Sequence, residues 1–169
     1  WCRKIIGKTG EDKMTQNIVD KIKESLGDKI IEIKTPADRR VFLTISADNL
    51  LKVIEILGND FGFRHLSTIT GIDTVKNFEI LYHFAISQVS LTIRVIISRE
   101  NPEIPSICRL IPGAVLYERE IQDLLGITVK NIPDPRPIVL PDDWPSGNYP
   151  LRKDWNYEPP EEKIPGEKK

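Results

Sequence analysis

Cysteine and histidine are scarce: the 169-residue chain holds two of each. Cys2 and Cys108 are too few for a disulfide framework and share no CxxC spacing, so reduced thiols in a cytoplasmic protein are expected. Scattered with His65 and His83, they form no metal-ligand pattern, and the several close thiolates of an iron–sulfur site are missing. His83 is read as a partly exposed sheet residue. Long apolar runs are also absent, the longest being Ala114 to Tyr117, far below a membrane span. No signal-peptide pattern opens the chain. A formal charge of −1 gives no electrostatic footprint for nucleic acid. Glycine-rich nucleotide loops and nucleophile elbows are absent too. Gly7-Lys8-Thr9 resembles the end of a phosphate loop, but position 2, where that loop needs glycine, is Cys2.

What is present suits a single globular domain with a tail. Forty per cent of residues are hydrophobic, enough for a core. Abundant Ile, Lys and Glu with a single Met are of the kind found in heat-adapted proteins. Ile18, Ile22 and Leu26 mark a helix over residues 15–26, with Thr15 as cap and Gly27 as stop. Residues 29–34 and 40–46 read as two strands joined by a Pro36-Ala37-Asp38 turn. A second helix opens at Ala47 or Asp48, buries Leu51, Ile54 and Leu57, and ends at Gly58. Three strands follow over 63–72, 78–86 and 90–98, the last two alternating strictly and linked by Ser87-Gln88-Val89 as an antiparallel hairpin. The order predicts an α+β fold, a mixed or antiparallel sheet of about five strands with helices packed on one face. The domain is placed at residues 1–130, with 1–13 expected to be poorly ordered, and an extended partner-binding tail at 131–169.

The chain is organised around residues 112–154. Pro112-Gly113 and Gly126 bracket a third helix whose apolar stripe is Tyr117, Ile121, Leu124 and Leu125. Glu118 and Glu120 flank that stripe and can meet both the core and a neighbour. Arg119 and Asp123 lie together on the far side, readable as a solvated ion pair worth about 0.3 kcal/mol. Beyond the helix, nine of the thirteen prolines fall in 133–169, so this strap forms neither helix nor central strand. It nevertheless carries Ile138, Val139, Leu140, Trp144, Tyr149, Leu151 and Trp155, which need burial against their own domain or a partner. Asp142-Asp143, with Arg152 and Asp154 nearby, is the one acidic cluster on which a metal-assisted or acid–base site could be built. A free-standing α+β enzyme or ligand-binding domain would use it. Its seat on a proline-bounded strap favours docking instead.

Two motifs now stand in order: Glu118-Arg119-Glu120 with Asp123-Leu124-Leu125-Gly126-Ile127, then Pro133-Asp134, Arg136, Ile138-Val139 and Pro150-Leu151-Arg152-Lys153-Asp154. Together they resemble the C-subunit family of NADH:quinone oxidoreductase, respiratory complex I. That family also takes in the equivalent subunits of energy-converting, membrane-bound nickel–iron hydrogenases. Ile132 stands where the family usually has His, and Asn148-Tyr149 after Gly147 adds a residue. Both point to the hydrogenase-like branch. The resemblance implies an accessory subunit with no catalytic centre and no cofactor of its own, peripheral on the cytoplasmic side of the cell membrane. It would dock on a hydrogenase-like large subunit and a cluster-bearing small subunit. Those partners would hold iron–sulfur clusters and, in the hydrogenase branch, a nickel–iron centre, and they would make the only membrane contact. Glu118, Arg119, Glu120, Asp123, Arg136, Trp144, Arg152, Lys153 and Asp154 are the implied contact residues.

Overall fold

The computed structural model describes residues 10–86 and 89–156. Helix α1 (Gly10–Leu26) leads through a short 3-10 turn into strands β1 (Ile30–Ala37) and β2 (Arg40–Ile45), followed by α2 (Leu50–Asp60). Strands β3 (His65–Asp73), β4 (Asn77–Ile86) and β5 (Val89–Ser98) come next, then β6 (Glu103–Pro105), α3 (Val115–Leu125) and β7 (Thr128–Lys130). The five long strands form one mixed sheet in the order β1-β2-β5-β4-β3. All neighbours are antiparallel except the β2–β5 seam, which runs parallel from Arg40↔Ser90 to Ile45↔Val95.

The period-two pattern decides which face is covered. Phe78, Ile80, Tyr82 and Phe84 of β4 and Leu91, Ile93, Val95 and Ile97 of β5 are buried. Val19, Ile22 and Leu26 of α1, Leu50, Val53, Ile54 and Leu57 of α2, and Ile121 and Leu125 of α3 join them in one cluster. The opposite face is mixed, with Phe42, Leu81 and Ile96 among polar groups. There Arg94 donates to Thr44 Oγ1 at 3.2 Å and pairs with Glu32 at 3.3 Å, and His83 Nδ1 lies 3.1 Å from Thr92 Oγ1. His83 is half-buried, and that burial pushes its imidazole below the ordinary value.

The elements occur in the order the sequence predicts, and their boundaries differ for local reasons. Helix α1 begins at Gly10, so residues 10–13 are helical and Thr15 is a buried member rather than a cap. Residues 1–9 lie outside those described. Pro36 and Ala37 belong to β1, because an edge strand tolerates a missing donor, and the turn falls on Asp38 and Arg39, with Arg39 at φ 64°. Helix α2 passes through Gly58 to Asp60. Strands β4 and β5 pair in continuous antiparallel register to Ile86↔Val89; residues 87 and 88 lie outside those described. The short parallel pair β6–β7 is too brief to leave a period-two signal.

Helix α3 sits close to β3 because Gly71 has no side chain. A Cβ there would collide with Leu125 Cδ1 and come within 3.3 Å of Ile121 Cγ2, both in the core. Gly71→Val is therefore expected to destabilise the fold by about 1–3 kcal/mol through overpacking, read as a lower denaturant midpoint at unchanged slope.

Candidate functional site

Helix α3 presents its two sides to different structures. On its inner side Glu118 is 1% exposed. Its carboxylate accepts from Ser106 Oγ at 2.7 Å, the Ile107 N–H at 2.6 Å and the Cys108 thiol at 3.1 Å. The segment after β6 is thereby tied to the helix, and Ser106 N–H reaches Lys130 O at 2.8 Å. Burial first, then the nearby carboxylate, raises the Cys108 thiol to about 11. Burial and the Glu118 charge likewise push the Tyr82 hydroxyl well above its usual range. That hydroxyl is the one buried side-chain oxygen without a hydrogen-bond partner among the described residues.

On its outer side the helix carries the strap. Asp123 Oδ2 accepts three consecutive backbone N–H groups, from Ile138 at 3.1 Å and from Val139 and Leu140 at 2.8 Å. Arg119 Nε donates to Arg136 O at 2.6 Å and its Nη2 to Pro137 O at 2.8 Å, while Nη1 pairs with Asp134 at 3.3 Å. Arg119 and Asp123 are thus fasteners of the strap rather than a solvated pair. Arg136 grips Asp134 through two bonds of 2.8 and 2.7 Å and holds that carboxyl well below the carboxylate range.

Further along, the chain docks on the helix end. Gly126 closes α3 at φ 67°, a left-handed cap. The carbonyls left over there are taken by Arg152, whose Nε reaches Leu125 O at 2.7 Å and whose Nη2 reaches Gly126 O at 3.3 Å. The same guanidinium lies 4.3 Å from the Tyr149 ring centroid and 5.2 Å from that of Phe78. Leu151 N–H donates to Leu124 O at 3.1 Å. Trp144 Nε1 donates to Asn148 O at 2.9 Å, and its ring meets Trp155 at 6.2 Å between centroids. Of the strap's bulky groups, Tyr149 packs on Arg152 at the helix end and the two tryptophans meet each other, while Ile138, Val139 and Leu151 are exposed.

A second anchor comes from the sheet. Asp73, at the end of β3, is buried. Its Oδ2 accepts Lys153 N–H at 2.9 Å, and its Oδ1 accepts Val75 N–H at 2.7 Å together with the Arg99 guanidinium. Arg99 also pairs with Asp154 at 2.6 Å. Burial alone would raise the Asp73 carboxyl, yet Arg99 and the two backbone donors outweigh it and hold it below its ordinary value. Arg99 lowers Asp154 in the same way. Neither Asp73 nor Arg99 belongs to the motifs, and nothing local in the sequence marks them as partners of residues 153 and 154.

Of the residues singled out from sequence, Glu118 is spent inside the fold, and Arg119, Asp123, Arg136, Trp144, Arg152 and Asp154 hold the strap. Glu120 is exposed and makes no hydrogen bond or ion pair with the described residues, and Lys153 is exposed apart from its backbone bond. Asp142 and Asp143 are exposed on a turn, Asp142 at the rim of a hollow of about 330 Å³ between the strap and α3. Among the described residues no group of three or more His, Cys, Asp or Glu is placed to hold a metal ion. None of their helices is long and apolar enough to cross a membrane.

This geometry joins the two motifs into one structural unit, and comparison with known proteins gives it a family. Residues 43–161 match the family described as respiratory-chain NADH dehydrogenase, 30 kDa subunit. The chain belongs to that family. The C subunit of the F(420)H(2) dehydrogenase of Methanosarcina mazei is 33% identical over 144 residues, covering 83% of this chain and 90% of that protein. Formate hydrogenlyase subunit 5 of Escherichia coli K12 is 31% identical over 150 residues, covering 85% of this chain but 26% of that longer protein. Among solved structures, a chain of the membrane-bound sulfane sulfur reductase, an archaeal respiratory membrane complex, shares the fold at a TM-score of 0.76 and 24% identity, with 85% of this chain and 86% of that one covered.

The strap's attachment should depend on acid. Asp73 and Asp154 titrate lower folded than unfolded, so their contribution is full above the ordinary aspartate value and is lost as pH falls through the folded values, below about 4. Arg99→Ala removes that contribution at neutral pH. It is expected to expose the Trp144–Trp155 region, read as a shift in tryptophan emission and faster proteolysis after residue 140. Glu118→Ala, which strands three donors, should cost about 2–4 kcal/mol in thermal or denaturant unfolding.

Proposed function

We propose that this chain is a non-catalytic, cofactor-free accessory subunit of the cytoplasmic arm of a membrane-bound, complex-I-like respiratory complex. In this reading it docks on a hydrogenase-like large subunit and the neighbouring cluster-bearing subunit. It braces the electron-transfer path that those partners carry and that ion pumping is coupled to. Family membership supports the assembly. The observation that carries the docking surface is the unit built by α3 and the strap. Its charged groups are mostly consumed in holding the strap, which leaves aliphatic side chains outward: Leu116 53%, Ile138 41%, Val139 54% and Leu151 55% exposed. Apolar groups displayed on a scaffold that is already internally satisfied suit a protein interface better than a reaction centre. Ile132 and the longer approach over residues 147–150 favour a branch other than NADH oxidation, while relatives of similar identity include both NADH-quinone oxidoreductase C subunits and subunits of a formate hydrogenlyase and an F(420)H(2) dehydrogenase. Membrane contact in this reading is made by the partners.

The test is purification of the tagged chain from its native membranes in mild detergent. A large hydrogenase-like subunit and iron are expected to co-purify, and nickel would select the hydrogenase branch. Recovery of the chain alone would overturn the reading. Asp123→Ala, which frees the strap, is expected to lower the co-purified large subunit severalfold.

A further inference from the structure

We infer that the groove between helix α3 and strand β3 receives an extended aliphatic segment of the partner, and that this segment carries one arginine or lysine paired with Glu120. The inference rests on the partner reading above and specifies what the partner must present. The groove, of about 180 Å³, is walled by residues 68–71 of β3 on one side and by Glu120, Leu124 and Leu151 on the other.

Three observations converge on that occupant. The first is the state of the sheet edge. Strands β1 and β3 are the two edges of the sheet. The β1 edge is blunted by Glu32, Lys34, Pro36 and two register irregularities. By contrast β3 has neither proline nor charge between Leu66 and Ile72, and its described helix contact to backbone is the Tyr117 hydroxyl on Ser67 O at 3.1 Å. Its one register irregularity lies between Leu66 and Thr68, so residues 68–72 are an uncharged, proline-free edge open to an extended chain. The second is the apolar lining. Ile121, Leu124 and Leu125 line the groove, Leu151 is bonded beside Leu124, and Leu116 lies just beyond it, one turn before Glu120 on the same stripe of α3. The third is charge. Glu120 is the one charge in this aliphatic rim, because Arg119, Arg152 and Arg99 are committed to the strap, the helix end and Asp73. A carboxylate so placed loses hydration when the rim is covered; no donor of the described residues reaches it as donors reach Glu118 and Asp123, and an incoming cation is the strongest group that offsets that loss.

The experiment uses the full chain in its native membranes. Leu116 is replaced by the photo-crosslinking residue benzoyl-phenylalanine, and the joined peptide is identified by mass spectrometry. In parallel, complex recovery is compared for wild type, Glu120→Gln and Glu120→Lys, each checked for an unchanged melting temperature. A partner peptide with a basic residue among aliphatic ones is expected. Recovery should fall about tenfold or more for Glu120→Lys and less for Glu120→Gln, whose binding should also lose salt dependence. If the complex assembles equally with Glu120→Lys, or the joined peptide has no basic residue, the inference is overturned while the accessory-subunit reading stands. Joining to a second copy, or to residues 157–169 of the chain itself, also overturns it. If wild type recovers no partner at all, the accessory-subunit reading fails first.

Discussion

A segment rich in proline satisfies only part of its own backbone, here through a few turns, and the organisation of this protein follows from where the missing partners come from. The strap from 131 onward lacks a donor at each proline, and three consecutive N–H groups converge on the single oxygen Asp123 Oδ2. Its carbonyls at 136 and 137 are answered by Arg119, four residues earlier on the same helix. Charge-assisted bonds of this kind are worth about twice a neutral one, and their number here replaces the ladder that a strand would have supplied. One helix face thus does for the strap what a neighbouring strand does in a sheet. The exchange is mutual, since Arg152 returns from the strap to take the last carbonyls of that helix.

The other side of α3 solves a different problem with the same chemistry. Glu118 is buried without a cation against it among the described residues, and its two oxygens are met by a hydroxyl, an amide and a thiol. A buried carboxylate satisfied only by donors fixes the position of the helix against residues 106–108 in a way that apolar packing would leave looser. The Tyr82 hydroxyl, buried without a partner and facing the field of Glu118, marks the cost of placing that charge beside the sheet. Helix α3 is held rigidly from within, and so the strap laid on its outside has a fixed bed.

How much of this is legible in the sequence depends on distance along the chain. Elements with their own periodicity, such as Phe78 to Phe84 and Leu91 to Ile97, announce their strands and their buried face. The motif residues around α3 can be named, and the family with them, because they lie close together in the chain. Their roles cannot be read there. Arg119 and Asp123 look like a surface pair on a helical wheel, and only the returning strap turns them inward. Asp73 and Arg99 are ordinary strand-end charges until Lys153 and Asp154 arrive from the far end of the chain. Gly58 reads as a helix stop, but the packing of α2 against the sheet outweighs the weak propensity of one glycine.

The parallel β2–β5 seam has a bearing on how the chain reaches this structure. β1–β2 and β3–β4–β5 are each joined by short antiparallel links that can close early and locally. Within the sheet the seam joins the two groups, and its contacts, such as Arg94 to Thr44, span 50 residues with α2 in between. Loop closure over that distance precedes any reward, so the seam is the non-local and entropically costly pairing of the sheet. The strap's two anchors, on α3 and at the end of β3, both depend on the second group, and the strap can be laid down only after that group is in place. The face that the strap builds is therefore conditional: it exists only where both α3 and the end of β3 already stand in their native places.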